Sequence, residues 1–128
     1  MVVDEARERL RDLGVRLVRL HALLLERERH AYEAQHGPVG SWELLQLLLH
    51  DAQFAWLRSL SRLMAQIDAL VDADEPVAAG DAQELMRDAY RLLSSGESGV
   101  FQDKYRAALQ ESPDVVMVHA GISGMLRR

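Results

Sequence analysis

Apolar residues recur every three or four positions through the first quarter of the chain, and this spacing constrains the fold more than any other feature. The stripe consists of Leu10, Leu13, Leu17, Leu20, Leu24 and Ala31. Positions three and four apart share one face of an α-helix. The pattern therefore predicts an amphipathic helix over residues 4–35, ended by Gly37-Pro38. Such a helix is about 45 Å long and has to bury its apolar face against another long element.

A second long helix is predicted directly after this stop. Ser41 is the residue type that caps helix starts, and the same periodicity then extends over residues 42–71. Its predicted core stripe is Leu45, Leu49, Ala52, Trp56, Leu63, Ile67 and Leu70. Because the connection between the two helices is so short, they should form an antiparallel hairpin.

The rest of the chain predicts three shorter helices. A turn at residues 72–76 precedes a helix over 79–93, and a loop rich in Ser and Gly at 94–99 precedes a helix over 100–110. Ser112-Pro113-Asp114 then starts the last helix with a cap, a proline and an acid. No alternating strand pattern occurs. We therefore expect one all-α domain over residues 1–128, an up-and-down helical bundle in which a long antiparallel helix hairpin is covered by three shorter helices.

Composition narrows the class of function. The chain has no Cys, which excludes disulfides and thiolate chemistry. Its net charge is −5, and the arginines of the first helix are matched by acids, as in the pair Glu5 and Arg9, so no basic stripe for nucleic acid is expected. No apolar run approaches the roughly 18 residues of a membrane span, and the start lacks the basic region of a signal peptide. A cytoplasmic protein with no membrane partner is the expectation.

The pair Glu33-x-x-His36 has the spacing of a di-iron ligand motif. At about 100° per residue, Glu33 lies about 160° and His36 about 100° from Leu17, which marks the centre of the apolar face. Glu26 and His30 point away from the core as well, and the motif has no second copy. We therefore expect a solvated helix end, with no metal site and no cofactor.

Polar residues on the core faces are the better candidates for a site. Glu28 and His21 lie about 20° and 40° from Leu17, and His119 lies about 40° from Val115 on the last helix. A buried carboxylate needs a partner, since an unpaired buried charge is costly.

Two interpretations of these residues remain open. In one, Glu28 bonds to Tyr32 or pairs with Arg58 or Arg62, and the histidines serve helix packing. In the other, Glu28, His21, His119 and Tyr32 line a site for a small ligand or metal ion. A catalytic acid or base role ranks third, because no serine–histidine–aspartate set and no glycine-rich phosphate loop is present.

Residues 44–57, LLQLLLHDAQFAWL, are apolar on both sides of the predicted second helix. On one continuous helix, a second apolar face forms about 120–200° from Leu45, and it carries Leu47, His50, Phe54 and Leu57. A helix that is apolar all round is buried all round or meets a partner. We predict that this face is the interface of a homodimer or of another protein partner. The alternative is a central helix covered by one of the short helices.

The stretch over residues 36–68 carries Asp51, Phe54-Ala-Trp-Leu57 and Ile67-Asp68. In this pattern the chain resembles a group of small uncharacterised bacterial proteins. The resemblance implies a bacterial cytosolic origin and an all-helical fold, and it implies no activity. The predicted function is association through protein contacts, rather than enzymatic catalysis. The alternative is a binder of a small ligand or metal ion in the bundle core near Glu28 and His119.

Overall fold

The computed structural model describes residues 4–127 of the chain. Within this range the chain is all-α, as predicted. Six α-helices and one 3₁₀ helix follow one another: α1 (Glu5–His36), α2 (Ser41–His50), the 3₁₀ helix (Ala52–Leu57), α3 (Arg58–Val71), α4 (Ala79–Leu93), α5 (Val100–Glu111) and α6 (Pro113–Leu126). None of the helices in residues 4–127 is long and apolar enough to cross a membrane.

The first helix forms as its sequence predicts. Asp4 caps it by accepting a hydrogen bond from the backbone N–H of Arg7 at 3.1 Å. At the other end Gly37 adopts a φ of 83°, which glycine tolerates best, and its N–H donates to the carbonyl of Glu33 at 2.8 Å. The predicted leucines from Leu10 to Leu24 are buried, but Ala31 is exposed. The stripe therefore continues through Glu28 rather than through Ala31.

The predicted second long helix is wrong at its middle, because the chain leaves the α-helix at Asp51. The backbone of Asp51 is extended, with φ −87° and ψ 138°. Its side chain accepts a hydrogen bond from the N–H of Gln53 at 2.8 Å, and its carbonyl accepts one from Phe54. An aspartate in this conformation is a helix cap. It ends α2 and starts the 3₁₀ helix, from which α3 continues.

The break changes which residues are buried. Trp56, Leu63 and Ile67 lie in the core as predicted, whereas Leu45 and Leu49 before the break are 44% and 52% exposed. One extended residue and a 3₁₀ helix with three residues per turn rotate α2 relative to α3. A single helical wheel at 100° per residue therefore describes α3 but not α2 or the 3₁₀ helix.

The long helix α1 packs antiparallel to α3 and to α6. His21 contacts Ser61, and Gly14, nearer the start of α1, lies beside Ile67, nearer the end of α3. The same reversal relates α1 to α6, where Arg27 pairs with Glu111 just before α6 and Arg9 donates to the carbonyl of Met125. The predicted antiparallel arrangement is present, with α1 in the middle of the bundle.

The last two helices meet at the predicted tight turn. Ser112 caps α6 by accepting a hydrogen bond from the N–H of Val115 at 3.3 Å, and Pro113 occupies the first turn. The turn folds α6 back along α5, which brings Tyr105 to His119. This contact positions the polar cluster described below.

Candidate functional site

Glu28 is a buried carboxylate held by two donors from the 3₁₀ helix. The indole Nε1–H of Trp56 donates to its Oε1 at 2.6 Å, and the amide of Gln53 donates to its Oε2 at 3.2 Å. These donors replace the predicted partners Tyr32, Arg58 and Arg62. Arg58 instead leaves its Nε and Nη2 buried without a hydrogen-bond partner among the described residues.

The 3₁₀ geometry explains how one carboxylate takes both bonds. Residues three apart eclipse one another in a 3₁₀ helix, whereas they lie about 60° apart in an α-helix. Gln53 and Trp56 therefore stand one above the other and reach the two oxygens of Glu28. The carboxylate thus joins the middle of α1 to the segment where the second long helix is interrupted.

His21 serves the packing of α1 on α3. Its Nε2 lies 2.9 Å from the hydroxyl of Ser61, which donates to the carbonyl of Leu57 at 3.3 Å. Burial lowers the pKa of His21 below the ordinary value of 6.5. The side chain fits the predicted packing role and does not line the cavity beside His119 that is described below.

Tyr32 belongs to a third place, near the end of α1. Its ring stacks on the imidazole of His36 with a centroid separation of 4.1 Å, and it leans against Phe54 at 5.9 Å. It makes an aromatic contact rather than a bond to Glu28.

A row of buried rings joins Glu28 to His119. Trp56 contacts Phe101 at a centroid distance of 5.5 Å, Phe101 contacts Tyr105 at 5.5 Å, and Tyr105 contacts His119 at 5.4 Å. Glu28 and His119 therefore lie at opposite ends of a packed aromatic row. The four residues predicted to bind one ligand are distributed over separate places.

His119 is the centre of a polar chain. The hydroxyl of Tyr105 lies 2.7 Å from its Nδ1, and the hydroxyl of Ser123 lies 3.2 Å from its Nε2. Ser123 continues to the hydroxyl of Ser94 at 3.4 Å. Side chains from α5, from α6 and from the C-cap of α4 thus form one row of hydrogen-bonded groups.

Tyr105 is 2% exposed. Burial raises the pKa of its phenol far above the usual range, so the phenol keeps its proton and can donate a hydrogen bond to Nδ1 of His119. Burial, and then the charge of Arg127, lowers the pKa of His119, which favours the neutral imidazole. In the tautomer that accepts from Tyr105 at Nδ1, the proton is on Nε2, which donates to Ser123.

A cavity of about 430 Å³ opens beside this chain, between the end of α4, the loop that follows it, α5 and α6. Ser94, Tyr105, His119 and Ser123 all line it. The sequence gives no signal that these four residues meet. The spacing of His119 and Ser123 places them on one side of a helix but does not predict a binding site. Only the packing of α5 on α6 and the placement of Ser94 assemble them.

The side chains of the Glu33-x-x-His36 pair have local partners. Glu33 accepts a hydrogen bond from the N–H of Val39 at 2.8 Å and lies 3.6 Å from Arg29. His36 is exposed and bonds to the carbonyl of Tyr32 at 3.1 Å. Among residues 4–127, no group of three His, Asp or Glu side chains is placed to hold a metal ion.

Two of the four predicted interface residues lie in the core. Phe54 and Leu57 have no exposed surface, because the 3₁₀ helix turns them toward α1 and α5. Leu47 is half-buried, and only His50 is exposed. The predicted outer face is wrong because it was drawn on one continuous helix.

A different apolar face is exposed on α2. This helix has no buried residue, although six of its ten residues are leucine or tryptophan. Leu44, Leu47 and Leu48 pack partly against the core. Trp42, Leu45 and Leu49, at three- and four-residue steps, form the opposite face, and Trp42 is 73% exposed. These three residues are the α2 face.

Comparisons with protein-family models, with curated proteins and with solved structures find no match. The resemblance of residues 36–68 to small bacterial proteins stays a prediction. The α2 face and the cavity beside His119 are the two surface features of residues 4–127 that could meet a partner or a ligand.

Proposed function

We propose that this protein acts through association and forms a symmetric homodimer through the α2 face. The observation that carries the proposal is the exposure of Trp42, Leu45 and Leu49 on a helix without a buried residue. Contiguous apolar surface of this kind marks interaction sites. The predicted mode of action is kept, and the surface moves from Phe54 and Leu57 to the α2 face.

The energetics of a short helix support the proposal. Isolated helices shorter than about 12–15 residues are marginal in water, and α2 has 10 residues. Its main contacts within the chain are with the 3₁₀ helix that follows it. Within the chain, only the opposite side of α2 packs against the core. Burying the α2 face against a partner would supply packing on the remaining side.

A second copy of this chain suits the charges beside the α2 face. At about 100° per residue, His50 and Glu43 lie about 80° and 100° from Trp42, on the same edge of the helix. In an antiparallel symmetric pair, equivalent edges of the two helices meet. Glu43 at the start of one helix would then face His50 at the end of the other, and Leu45 and Leu49 would interdigitate.

The proposal includes the bacterial cytosolic setting that the sequence predicts.

The alternative to a second copy of this chain is a partner of a different sequence that binds the α2 face. The experiment below distinguishes these two partners. Purified protein that stays monomeric, whatever its concentration, would exclude the second copy.

The test is to place a charge in the α2 face. We expect the parent to be dimeric in sedimentation velocity, and Leu49→Glu to shift to monomer with unchanged helical circular dichroism. Burying an unpaired carboxylate in an apolar interface costs several kcal/mol, so the dissociation constant should rise by about a hundredfold or more. Fluorescence of Trp42 should move to longer wavelength as the dimer dissociates.

Val18→Glu is the matched control, since Val18 is an apolar residue of α1 with a similar exposure of 55%. That variant should remain dimeric. A dimer that survives Leu49→Glu, or one that Val18→Glu disrupts instead, would contradict the proposed interface. Trp42→Ala, which removes an anchor without adding charge, should weaken the dimer in the same direction and guards against a folding defect in the first variant.

A further inference from the structure

The cavity beside His119 combines a polar end with an apolar wall. Ser94 and Ser123 place their hydroxyls at the polar end, where the chain from Tyr105 ends. Leu92 and Leu109 are among the apolar residues that line it. A volume of about 430 Å³ lies within the range of about 300–1,000 Å³ that is typical of pockets for small molecules.

The hydroxyls at the polar end are poorly satisfied. In the tautomer of His119 that accepts from Tyr105, Ser123 accepts a hydrogen bond from Nε2, and its own hydroxyl can donate to another acceptor. Its contact with Ser94 is 3.4 Å, which is long for a hydrogen bond between hydroxyls. A stronger acceptor in the cavity would accept hydrogen bonds from both hydroxyls. The hydrogen bonds of His119 to Tyr105 and to Ser123 hold these side chains in this orientation.

The charge of the lining favours an anion as that acceptor. Arg127 and Arg106 line the cavity, and Glu97 is the carboxylate among the lining residues. Arg106 also lies 3.5 Å from Asp103, and both groups are exposed. Arg127 donates from Nε to the backbone carbonyl of Ser123 at 3.2 Å and lines the same cavity as the two serines.

The C-terminal ends of α4 and α6 disfavour an anion in the cavity, because both helices end there. Their carbonyls carry a partial negative charge, equivalent to about half an elementary charge at each helix end. Arg127, bonded to a carbonyl of the last turn of α6, offsets one of these ends with a full charge. Arg127 is thus the cation that an anion in the cavity would meet at the end of α6.

We propose that this cavity binds a small carboxylate with an apolar body, whose oxygens accept hydrogen bonds from Ser94, Ser123 and the guanidinium of Arg127. The apolar body lies against Leu92, Leu109 and the ring of Tyr90. The site is separate from the α2 face, and its occupation does not depend on dimer formation.

The experiment titrates the full chain with three probes of the same shape and different charge. They are phenylacetate, phenylacetamide and phenethylamine, followed by backbone amide shifts in nuclear magnetic resonance. We expect phenylacetate to bind most tightly, with shifts confined to the end of α4, the loop 94–99, α5 and α6. Arg127→Gln should weaken phenylacetate about tenfold, as expected for one charge-assisted hydrogen bond. The same variant should leave phenylacetamide nearly unchanged.

Arg87→Gln is the control, because Arg87 is an exposed arginine of α4 that does not line the cavity. It should bind phenylacetate like the parent. Ser123→Ala and Ser94→Ala should each weaken the carboxylate, and Ser94→Ala leaves the His119 contacts in place. Equal binding of the three probes, preference for the amine, or no shift with any probe at about 10 mM would each overturn the proposal.

Discussion

Glu28 is a single residue whose contacts decide the local backbone. It lies on a leucine stripe with 9% of its surface exposed, and a carboxylate in that position needs hydrogen-bond donors. The donors come from Gln53 and Trp56, and both reach it because the backbone between them is a 3₁₀ helix. The sequence predicted that Glu28 is buried, but it did not identify the donors.

Replacing Glu28 should therefore destabilise the protein more than replacing an exposed carboxylate of the same helix. Glu28→Ala leaves the buried indole N–H of Trp56 without an acceptor, at a cost of about 2–3 kcal/mol in the free energy of unfolding. Glu28→Gln should cost less, since its amide oxygen still accepts from Trp56. Urea unfolding followed by fluorescence measures both. Glu26→Ala, which removes an exposed ion-pairing carboxylate, should change stability by less than about 0.5 kcal/mol.

At the scale of elements, the break at Asp51 determines which side of α2 faces water. The run of leucines before it predicts a helix, and the helix is present as α2. The sequence predicts one continuous helix through Asp51. The side chain of Asp51 instead caps the 3₁₀ helix, and α2 is turned so that Trp42, Leu45 and Leu49 face outward.

Removing this cap should loosen the junction. Asp51→Ala loses the hydrogen bond to the N–H of Gln53, and we expect a loss of about 1 kcal/mol in the free energy of unfolding. Amide hydrogen exchange in residues 51–57 should rise with it. Asp68→Ala changes an exposed aspartate within α3 and should not destabilise the protein. Equal effects of the two variants would show that Asp51 is not a cap.

At the scale of the whole molecule, two partly buried histidines link folding to pH. Burial lowers the pKa of His21 and of His119, and the charge of Arg127 adds to the effect at His119. In the unfolded chain both side chains return to a value near 6.5. Below that value the unfolded state binds protons that the folded state does not bind, so stability falls as the pH falls.

We therefore expect the free energy of unfolding to decrease between pH 7.5 and pH 5.5, measured by urea unfolding at each pH. Replacing both histidines in His21→Asn/His119→Asn should lower stability at pH 7.5 and should flatten this decrease. His30→Asn, which changes an exposed histidine, should leave the decrease as large as in the parent. A double variant with the same pH dependence as the parent would mean that these two side chains do not cause it.

The sequence by itself determined the all-α fold, the long first helix, the start of α6 and the burial of Glu28. Each of these depends on the period of the α-helix or on a local cap, which neighbouring residues specify within one or two turns. The interruption at Asp51 had a local signal too, since aspartate is a capping residue, but the leucines around it favoured a continuous helix.

Only the tertiary structure decided which polar groups meet. Trp56 and Gln53 reach Glu28 because α1 lies against the 3₁₀ helix, and Tyr105, His119, Ser123 and Ser94 meet because α6 folds back along α5 beside the end of α4. Helical periodicity gives the direction of a side chain around its own axis. It does not give the rotation of one helix relative to the next, and that rotation places Phe54 in the core and Trp42 in water.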